Sequence, residues 1–411
     1  MYSLTKYKKY DIIYIIKELK EGKNMKLTEK DKLFIELSEG MYEYKRTGIL
    51  SEKTQNVLEI LSKDDKDKVD KLIQNIREDN QNFDKEDAKK LVEDINTFSV
   101  TSVETYNKCP FKYFIDYGLR PVDDKKEKSF SYGSFYHNAI SEISEKLWNK
   151  NTDKDEYLNE ATIIANNIFD AFVKNNNLIK EELEREREIN VERIVQVSYI
   201  YYLSLSKGKF KLISNEYKVS KEIETKNGHK IKLLGIIDRI DEANIDGENY
   251  ARIIDYKTGG KTIRKELMDI GVDIQLPIYT SLIQGNLAGM YYASMESPIK
   301  DDNKDNKNKY QLKGPTINNI NVLTASDQSI EEENSSSSII QVSKNKDGSF
   351  SKRSNLKGKD EIDKDIKLAM QIFTETVDKI KNGDNAAIPL KQYGINACEY
   401  CKYNTICQYK K

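Results

Sequence analysis

The sequence offers no stretch long and apolar enough to cross a bilayer; its longest apolar runs, such as Ile12–Ile16, fall far short of a span. Nor does any segment combine a basic start, an apolar core and a small-residue cleavage site, so a cytoplasmic protein without membrane association is expected. Charge of one sign is also missing. With 67 basic and 68 acidic residues the net charge is -1, which excludes binding to nucleic acid through bulk charge alone. Any DNA contact must be a local basic groove, for which Arg239, Lys257, Lys261, Arg264 and Lys265 are candidates, and a partner would help to hold the DNA. A phosphate-binding loop is absent too. Gly260-Lys261-Thr262 imitates its end, but the required earlier glycine falls at Asp255, so no ATP site is expected in this chain. Histidines number only two and cysteines only four, so any site built on either has few possible members. What remains is a soluble composition of 411 residues: mean hydropathy is -0.72, yet 38% of residues are hydrophobic, enough for a sizeable core and two or three domains.

Against that background, residues 234–259, LGIIDRIDEANIDGENYARIIDYKTG, stand out. Asp246-Gly247 reads as a two-residue hairpin turn between strands rich in Ile, Tyr and Arg. Pairing Ile245 with Glu248 and counting outward sets Asp238 opposite Asp255. Opposed Cβ atoms lie about 4.5–5.5 Å apart, and two like charges held there are unfavourable unless a cation lies between them. Lys257 shares the face of Asp255 because side chains alternate along a strand. Two carboxylates, a divalent metal and an ammonium suit hydrolysis of a phosphodiester; a surface ladder of salt bridges is the simpler alternative. The Asn227-Gly228 turn of the preceding hairpin pairs Tyr217 with Asp238, which would turn Glu216 to the wrong face unless Gly235 marks a bulge. His229 is read as a turn residue without a role.

GIIDRID, IIDYKTG and the following Gln275-Leu276-Pro277-Ile278-Tyr279 resemble the RecB-like branch of the PD-(D/E)XK nuclease superfamily. The resemblance implies an α/β fold, with a restriction-endonuclease-like core of mixed sheet flanked by helices, to which the helical spacing in residues 1–97 adds an N-terminal helical region. It further implies that Asp238 and Asp255, with the Tyr256 carbonyl, bind Mg2+, that Lys257 is catalytic, and that Gln275 and Tyr279 approach the DNA strand and the active site. His137, in Gly133-Ser134-Phe135-Tyr136-His137, fits the family's metal-binding histidine on an upstream helix. The family's usual Arg before the Ile-Asp pair is replaced by Ile236.

The cysteines form a second constellation: Cys109, then Cys398-x2-Cys401-x5-Cys407. Three thiolates near the C-terminus cannot complete a four-coordinate site, so the remote Cys109 is the expected fourth ligand. Zinc and an iron-sulfur cluster both accept four thiolates, and two disulfides are a further alternative. The spacing resembles the iron-sulfur staple of AddB-type subunits of bacterial helicase-nucleases, which implies a [4Fe-4S] cluster. Val100–Tyr117 and Leu287–Tyr292 extend that likeness, so it covers residues 98–411, the expected nuclease domain. AddB-type subunits carry a long helicase-like region in front of the nuclease, whereas only residues 1–97 stand there in this sequence.

Residues 1–97 read as three or four helices, with apolar stripes at Ile12–Leu19, Leu33–Leu37, Val57–Leu61 and Val69–Ile76, a helical arm that could be a remnant of that region. Phe111, Tyr113, Phe114 and Tyr117 are expected in the core rather than against bases. Tyr132–Trp148 should form the helix carrying His137, 156–206 two more helices, and Lys265–Gln284 one helix bearing Gln275 and Tyr279 on one face. Residues 298–358, with KDDNKDNKNK and EEENSSSSI, read as a polar, mobile insertion with a strand or two inside it, and Asp360–Lys381 as an amphipathic helix stopped by Gly383. No internal repeat is found. Together these features point to a metal-dependent DNA exonuclease that processes double-strand ends beside an AddA-type helicase-nuclease partner, the strand ending in 5′ being the implied substrate. A stand-alone single-strand exonuclease of the CRISPR-adaptation type and a non-catalytic iron-sulfur scaffold are the alternatives.

Overall fold

In the computed structural model, the described residues are 28–47, 50–78, 83–121, 132–176, 178, 183–298 and 309–407. The stripe at Ile12–Leu19 lies outside them. They divide into two compact units: one holds the chain up to Asp84 together with Asn385–Pro389 and the residues from Asn396 onward, the other Lys85–Asp384 with Leu390–Ile395. Among the described residues no helix is long and apolar enough to cross a membrane.

The first unit contains helices α1 (Glu29–Thr47), α2 (Glu52–Asp64) and α3 (Lys66–Glu78). They bury Leu37, Met41, Val57, Leu61 and Val69 against one another, all but Met41 lying in the stripes that the helical spacing singles out. Ser51 caps α2 by accepting from the Thr54 N–H at 3.2 Å.

The second unit opens with α4 (Lys85–Val92), strand β1 (Thr97–Ser99) and α5 (Val100–Lys108), which starts in a capping box between Ser99 and Ser102. Phe111, Tyr113 and Phe114 follow as core residues. Three long helices come next: α6 (Gly133–Leu147), α7 (Lys154–Asn175) and α8 (Glu184–Leu205). A meander of β2 (Lys211–Glu224), β3 (Lys230–Ile245) and β4 (Glu248–Lys257) leads to the short helix α9 (Gln275–Thr280) and strand β5 (Asn286–Ser294). Strands β6 (Thr316–Ile317) and β7 (Leu356–Lys357) extend the sheet, and α10 (Lys359–Lys381) ends at Gly383, whose φ of 74° terminates it.

The sheet is mixed. Its order is β1-β3-β4-β5-β6-β7, with β2 on the other edge of β3; β3 runs parallel to β1 and antiparallel to β2 and β4, and β4 is parallel to β5. One edge of β3 is thus shared, by β1 at Lys232–Leu234 and by β4 at Arg239–Ile245. Between them Gly235–Asp238 pairs with neither strand, and the site forms at that opening. Helices α6–α8 cover one face through a continuous core that includes Phe135, Ile140, Phe169, Ile194, Ile254 and Tyr291. Helix α10 buries Ile362, Ala369, Phe373, Val377 and Ile380 and packs against α5 and α9.

Two expectations need correction. The single helix over Lys265–Gln284 is broken into Lys265–Asp269 and α9, because Gly271 adopts a φ of 75° where Asn107 packs against it. The polar segment 309–358 is not a loose insertion: Leu312, Leu323, Ile330, Ile339, Ile340 and Val342 join the main core. Its serine run folds around Asp327, which accepts from the Ser337 hydroxyl at 2.7 Å and the Ser338 N–H at 2.9 Å. Most of KDDNKDNKNK lies outside the described residues.

Candidate nuclease site

The β3–β4 turn is the two-residue turn expected, with Asp246 and Gly247 at φ of 54° and 86°. Its ladder runs from Ile245↔Glu248 to Arg239↔Ile254, and the next step of the same register brings Asp238 to Asp255. There the regular pairing gives way to a side-chain bond: the Tyr256 N–H donates to Asp238 Oδ2 at 2.7 Å.

The β2–β3 hairpin differs from the sequence expectation, and the difference adds a residue to the site. Its last pair is Glu224↔Lys230, closed by the Thr225 N–H donating to the His229 carbonyl at 3.0 Å, with Gly228 at φ 82°. The loop therefore holds three residues, Lys226-Asn227-Gly228, where two were expected, and the register moves by one. Tyr217 pairs with Ile237, not Asp238, and the flanking pair Asn215↔Arg239 sets Glu216 against Asp238. Glu216 itself has a φ of 47°, an uncommon conformation for a residue with a Cβ and one that recurs at functional sites. Gly235 marks no bulge. An added Cβ there would lie 2.5 Å from Cε1 of Tyr279, so glycine is what lets the buried Tyr279 ring reach the opening in β3.

Helix α6 supplies His137, whose Nδ1 lies 3.3 Å from Asp238 Oδ2. Ligand atoms of His137, Glu216 and Asp238 all lie within 4.8 Å of one another, in half-buried positions that suit a cation. Burial lowers the His137 pKa, but its hydrogen bond to Asp238 and the charges of Asp238, Asp255 and Glu216 outweigh this and raise it. Burial, then the Asp238 charge, pushes the Glu216 carboxyl up.

Asp255 stands beside this trio. Burial, then the charge of Asp238, pushes its carboxyl up to about 6 against the pull of Lys257. Its Oδ2 is buried without a well-formed hydrogen bond and has the Lys257 ammonium as ionic neighbour. Gln275 ties the pair together: its Nε2 donates to Asp255 Oδ1 at 2.8 Å and its Oε1 accepts from Lys257 Nζ at 3.5 Å. Two carboxylates and an imidazole within reach of one another, with the Asp255 carboxylate beside them, form a donor set that fits a hard divalent ion.

Of the residues expected around the centre, His137, Asp238, Asp255, Tyr256, Lys257, Gln275 and Tyr279 are brought together, and Glu216 joins them. Arg239 is not a DNA contact. It is 1% exposed and bonds Asp241 through Nε and Nη2, both at 2.7 Å, while Arg252 Nε reaches the same carboxylate at 2.9 Å. Its side chain alternates to the covered face of β3, over the Trp148 ring. Lys261 is engaged as well, 3.1 Å from Asp273 and over the Tyr292 ring.

Cys109 caps α5 in the second unit and is half-buried; Cys398 is buried, and Cys401 and Cys407 half-buried, in the first. Within the second unit, the Leu390 N–H donates to the Lys108 carbonyl at 2.8 Å.

Comparison with known proteins agrees with the geometry. The chain is similar to an ATP-dependent helicase/deoxyribonuclease subunit of Caldanaerobacter subterraneus subsp. tengcongensis, with 30% identity over 365 residues, 78% of this chain and 30% of that protein. The same subunit of Clostridium kluyveri is 29% identical over 354 residues, 76% of this chain and 30% of the relative. That of Clostridium perfringens is 29% identical over 369 residues, 80% and 31%. The chain thus spans about 30% of the length of the curated relatives it matches. Residues 97–408 match the family profile over most of the chain and include every member of the site above, so the chain belongs to the PD-(D/E)XK nuclease superfamily.

Proposed function

We propose that this chain is the nuclease part of a helicase-nuclease, hydrolysing phosphodiester bonds at linear DNA ends with a divalent metal. The observation that carries the reading is the convergence of His137, Glu216 and Asp238 within 4.8 Å, beside the pair of buried Asp255 and half-buried Lys257. His137, Glu216, Asp238 and Asp255 would hold Mg2+, with the Tyr256 carbonyl, which lies on the same edge of β4 as the N–H bonded to Asp238. When bound, the metal supplies a Lewis acid for the scissile phosphate and favours hydroxide over water. Lys257 would orient the attacking water and stabilise charge on a phosphate oxygen. Gln275 fixes Lys257 and Asp255 relative to each other, and Tyr279, wedged on Gly235, would hold α9 against the DNA strand.

Cys109, Cys398, Cys401 and Cys407 would hold a [4Fe-4S] cluster joining the start of the nuclease domain, residues 98–411, to its end; the Cys398-x2-Cys401-x5-Cys407 spacing with one remote cysteine supports this. The relatives are named as one subunit of a helicase/deoxyribonuclease, which favours an AddA-type partner that feeds single-stranded DNA to this centre during double-strand end processing. The strand ending in 5′ is the proposed substrate, the cytoplasm the proposed compartment, and residues 1–97 the proposed docking arm. The test is degradation of end-labelled linear single-stranded DNA by chain purified without oxygen. Magnesium-dependent degradation, abolished by chelator and by Lys257→Ala, is expected; cleavage retained by Lys257→Ala would overturn the assignment.

A further inference from the structure

Glu104 is a carboxylate with no evident business in a core. It lies on α5, 7% exposed, among the buried Val100, Val103 and Tyr106, where an acid is costly unless it satisfies something. What it satisfies is the backbone at the start of α9. The Ile274 N–H, immediately before Gln275, donates to Glu104 Oε1 at 3.1 Å. The first N–H groups of a helix have no partner within it, and here the acceptor comes from a helix 170 residues away in sequence. One turn further along α5, Asn107 Nδ2 donates to the Gly271 carbonyl at 2.8 Å, and its Oδ1 accepts from Thr376 of α10 at 3.1 Å. The loop from Gly271 to Ile274 is therefore held at both ends by α5.

The consequence reaches the site. Gln275 Nε2 bonds Asp255 and its Oε1 faces Lys257, so the position of α9 sets the geometry of the carboxylate–lysine pair. At its other end α5 stops at Cys109, whose N–H bonds the Thr105 carbonyl at 3.0 Å, next to the Leu390–Lys108 bond. We propose that Glu104 is a positioning residue of the nuclease centre, transmitting the constraint on α5 through the Ile274 N–H to Gln275 and so to Asp255 and Lys257. The inference rests on the nuclease reading above. Burial holds the Glu104 carboxyl up at about 7 against Lys261 and Lys108, as expected for an acid whose value lies in an acceptor oxygen rather than in its charge.

The test compares the full chain with Glu104→Ala, Glu104→Gln, Gln275→Ala and the Glu104→Ala/Gln275→Ala double variant. Magnesium-dependent initial rates on single-stranded DNA are measured alongside hydrogen exchange of the 274–280 amides. Loss of one buried hydrogen bond should lower kcat about tenfold in Glu104→Ala. KM should barely move, and Glu104→Gln, which keeps the acceptor, should recover most of the rate. Because Glu104 acts through Gln275, the double variant should be no slower than Gln275→Ala alone. Amides 274–280 should exchange faster in Glu104→Ala, with β3 and β4 unchanged. Multiplying effects in the double variant, or unchanged exchange at 274–280, would overturn the proposal. Should Glu104→Ala not fold, Glu104→Asp withdraws the same acceptor by one methylene and should show the same two signatures. A wild-type chain that does not cleave defeats the nuclease reading of the isolated chain, while the exchange data still decide whether Glu104 holds α9.

Discussion

Replacing Glu216 by Gln removes one negative charge from the trio while keeping its shape, and its effect on stability should change sign with metal. Without metal, Glu216 and Asp238 repel each other across at most 4.8 Å. At an effective dielectric of 20 that is about 3 kcal/mol. Glu216 is only half-buried, and His137 offsets part of the repulsion, so about 1 kcal/mol should survive screening. Glu216→Gln should therefore melt about 1–2 °C above the parent chain in chelator. With Mg2+ or Mn2+ at about a hundred times its dissociation constant, the parent should gain about 2.7 kcal/mol from binding. The variant, short of one anionic ligand, should gain far less, so the order of melting temperatures should reverse. Differential scanning calorimetry in chelator and then in a metal titration reads both halves. A variant less stable than the parent in chelator, or one whose metal-induced shift equals the parent's, would refute the placement of Glu216 in the cation site.

Three further outcomes follow from the packing. Gly235→Ala forces a methyl against the Tyr279 ring and should cost about 1–3 kcal/mol in a urea melt while slowing DNA cleavage, because Tyr279 and Gln275 share α9; an unaltered melt would show that the ring yields freely. Asp241→Asn leaves the buried Arg239 and Arg252 uncompensated and should cost about 3–5 kcal/mol or prevent soluble expression, whereas a change under about 1 kcal/mol would mean that water reaches the pair. Glu104 has a folded pKa raised to about 7 from an ordinary 4.5, so between those values the native state binds the extra proton and stability falls as pH rises. Glu104→Gln should remove that slope, so its stability relative to the parent should improve from pH 5 to pH 8; a parallel pH profile for the two would contradict the burial of an acid there.

Much of the site was legible in the sequence because it is built on local rules. Asp246-Gly247 specifies a two-residue turn, and from that turn alone the register aligns Asp238 with Asp255 and sets Lys257 on the face of Asp255. The periodicity of α6 and α10, and the apolar stripes of α1–α3, likewise depend on residues near in sequence. Glu216 was missed for a local reason with a long reach. Asn-Gly can close a two- or a three-residue loop, and with Gly228 at positive φ in the three-residue form every pair from Glu224 back to Ser214 moves by one, which exchanges the faces of Glu216 and Tyr217.

Other features were not read from the sequence. The Ser-rich segment around Asp327 looked solvated because its few apolar residues are scattered, and only their convergence on the sheet reveals them as core. Arg239 looked like a DNA contact because a guanidinium beside a candidate metal-binding acid invites that reading; strand alternation turns it under the sheet to Asp241. Glu104 and Ile274 are 170 residues apart, and no pattern in either segment announces the hydrogen bond between them. The sequence by itself determined the turn, the opposed carboxylates, the lysine beside them and the helices, since each depends on spacing within one element or hairpin. Tertiary structure decided that His137 reaches Asp238, that Tyr279 fills the gap over Gly235 and that α5 steadies α9, because these depend on how separate elements pack.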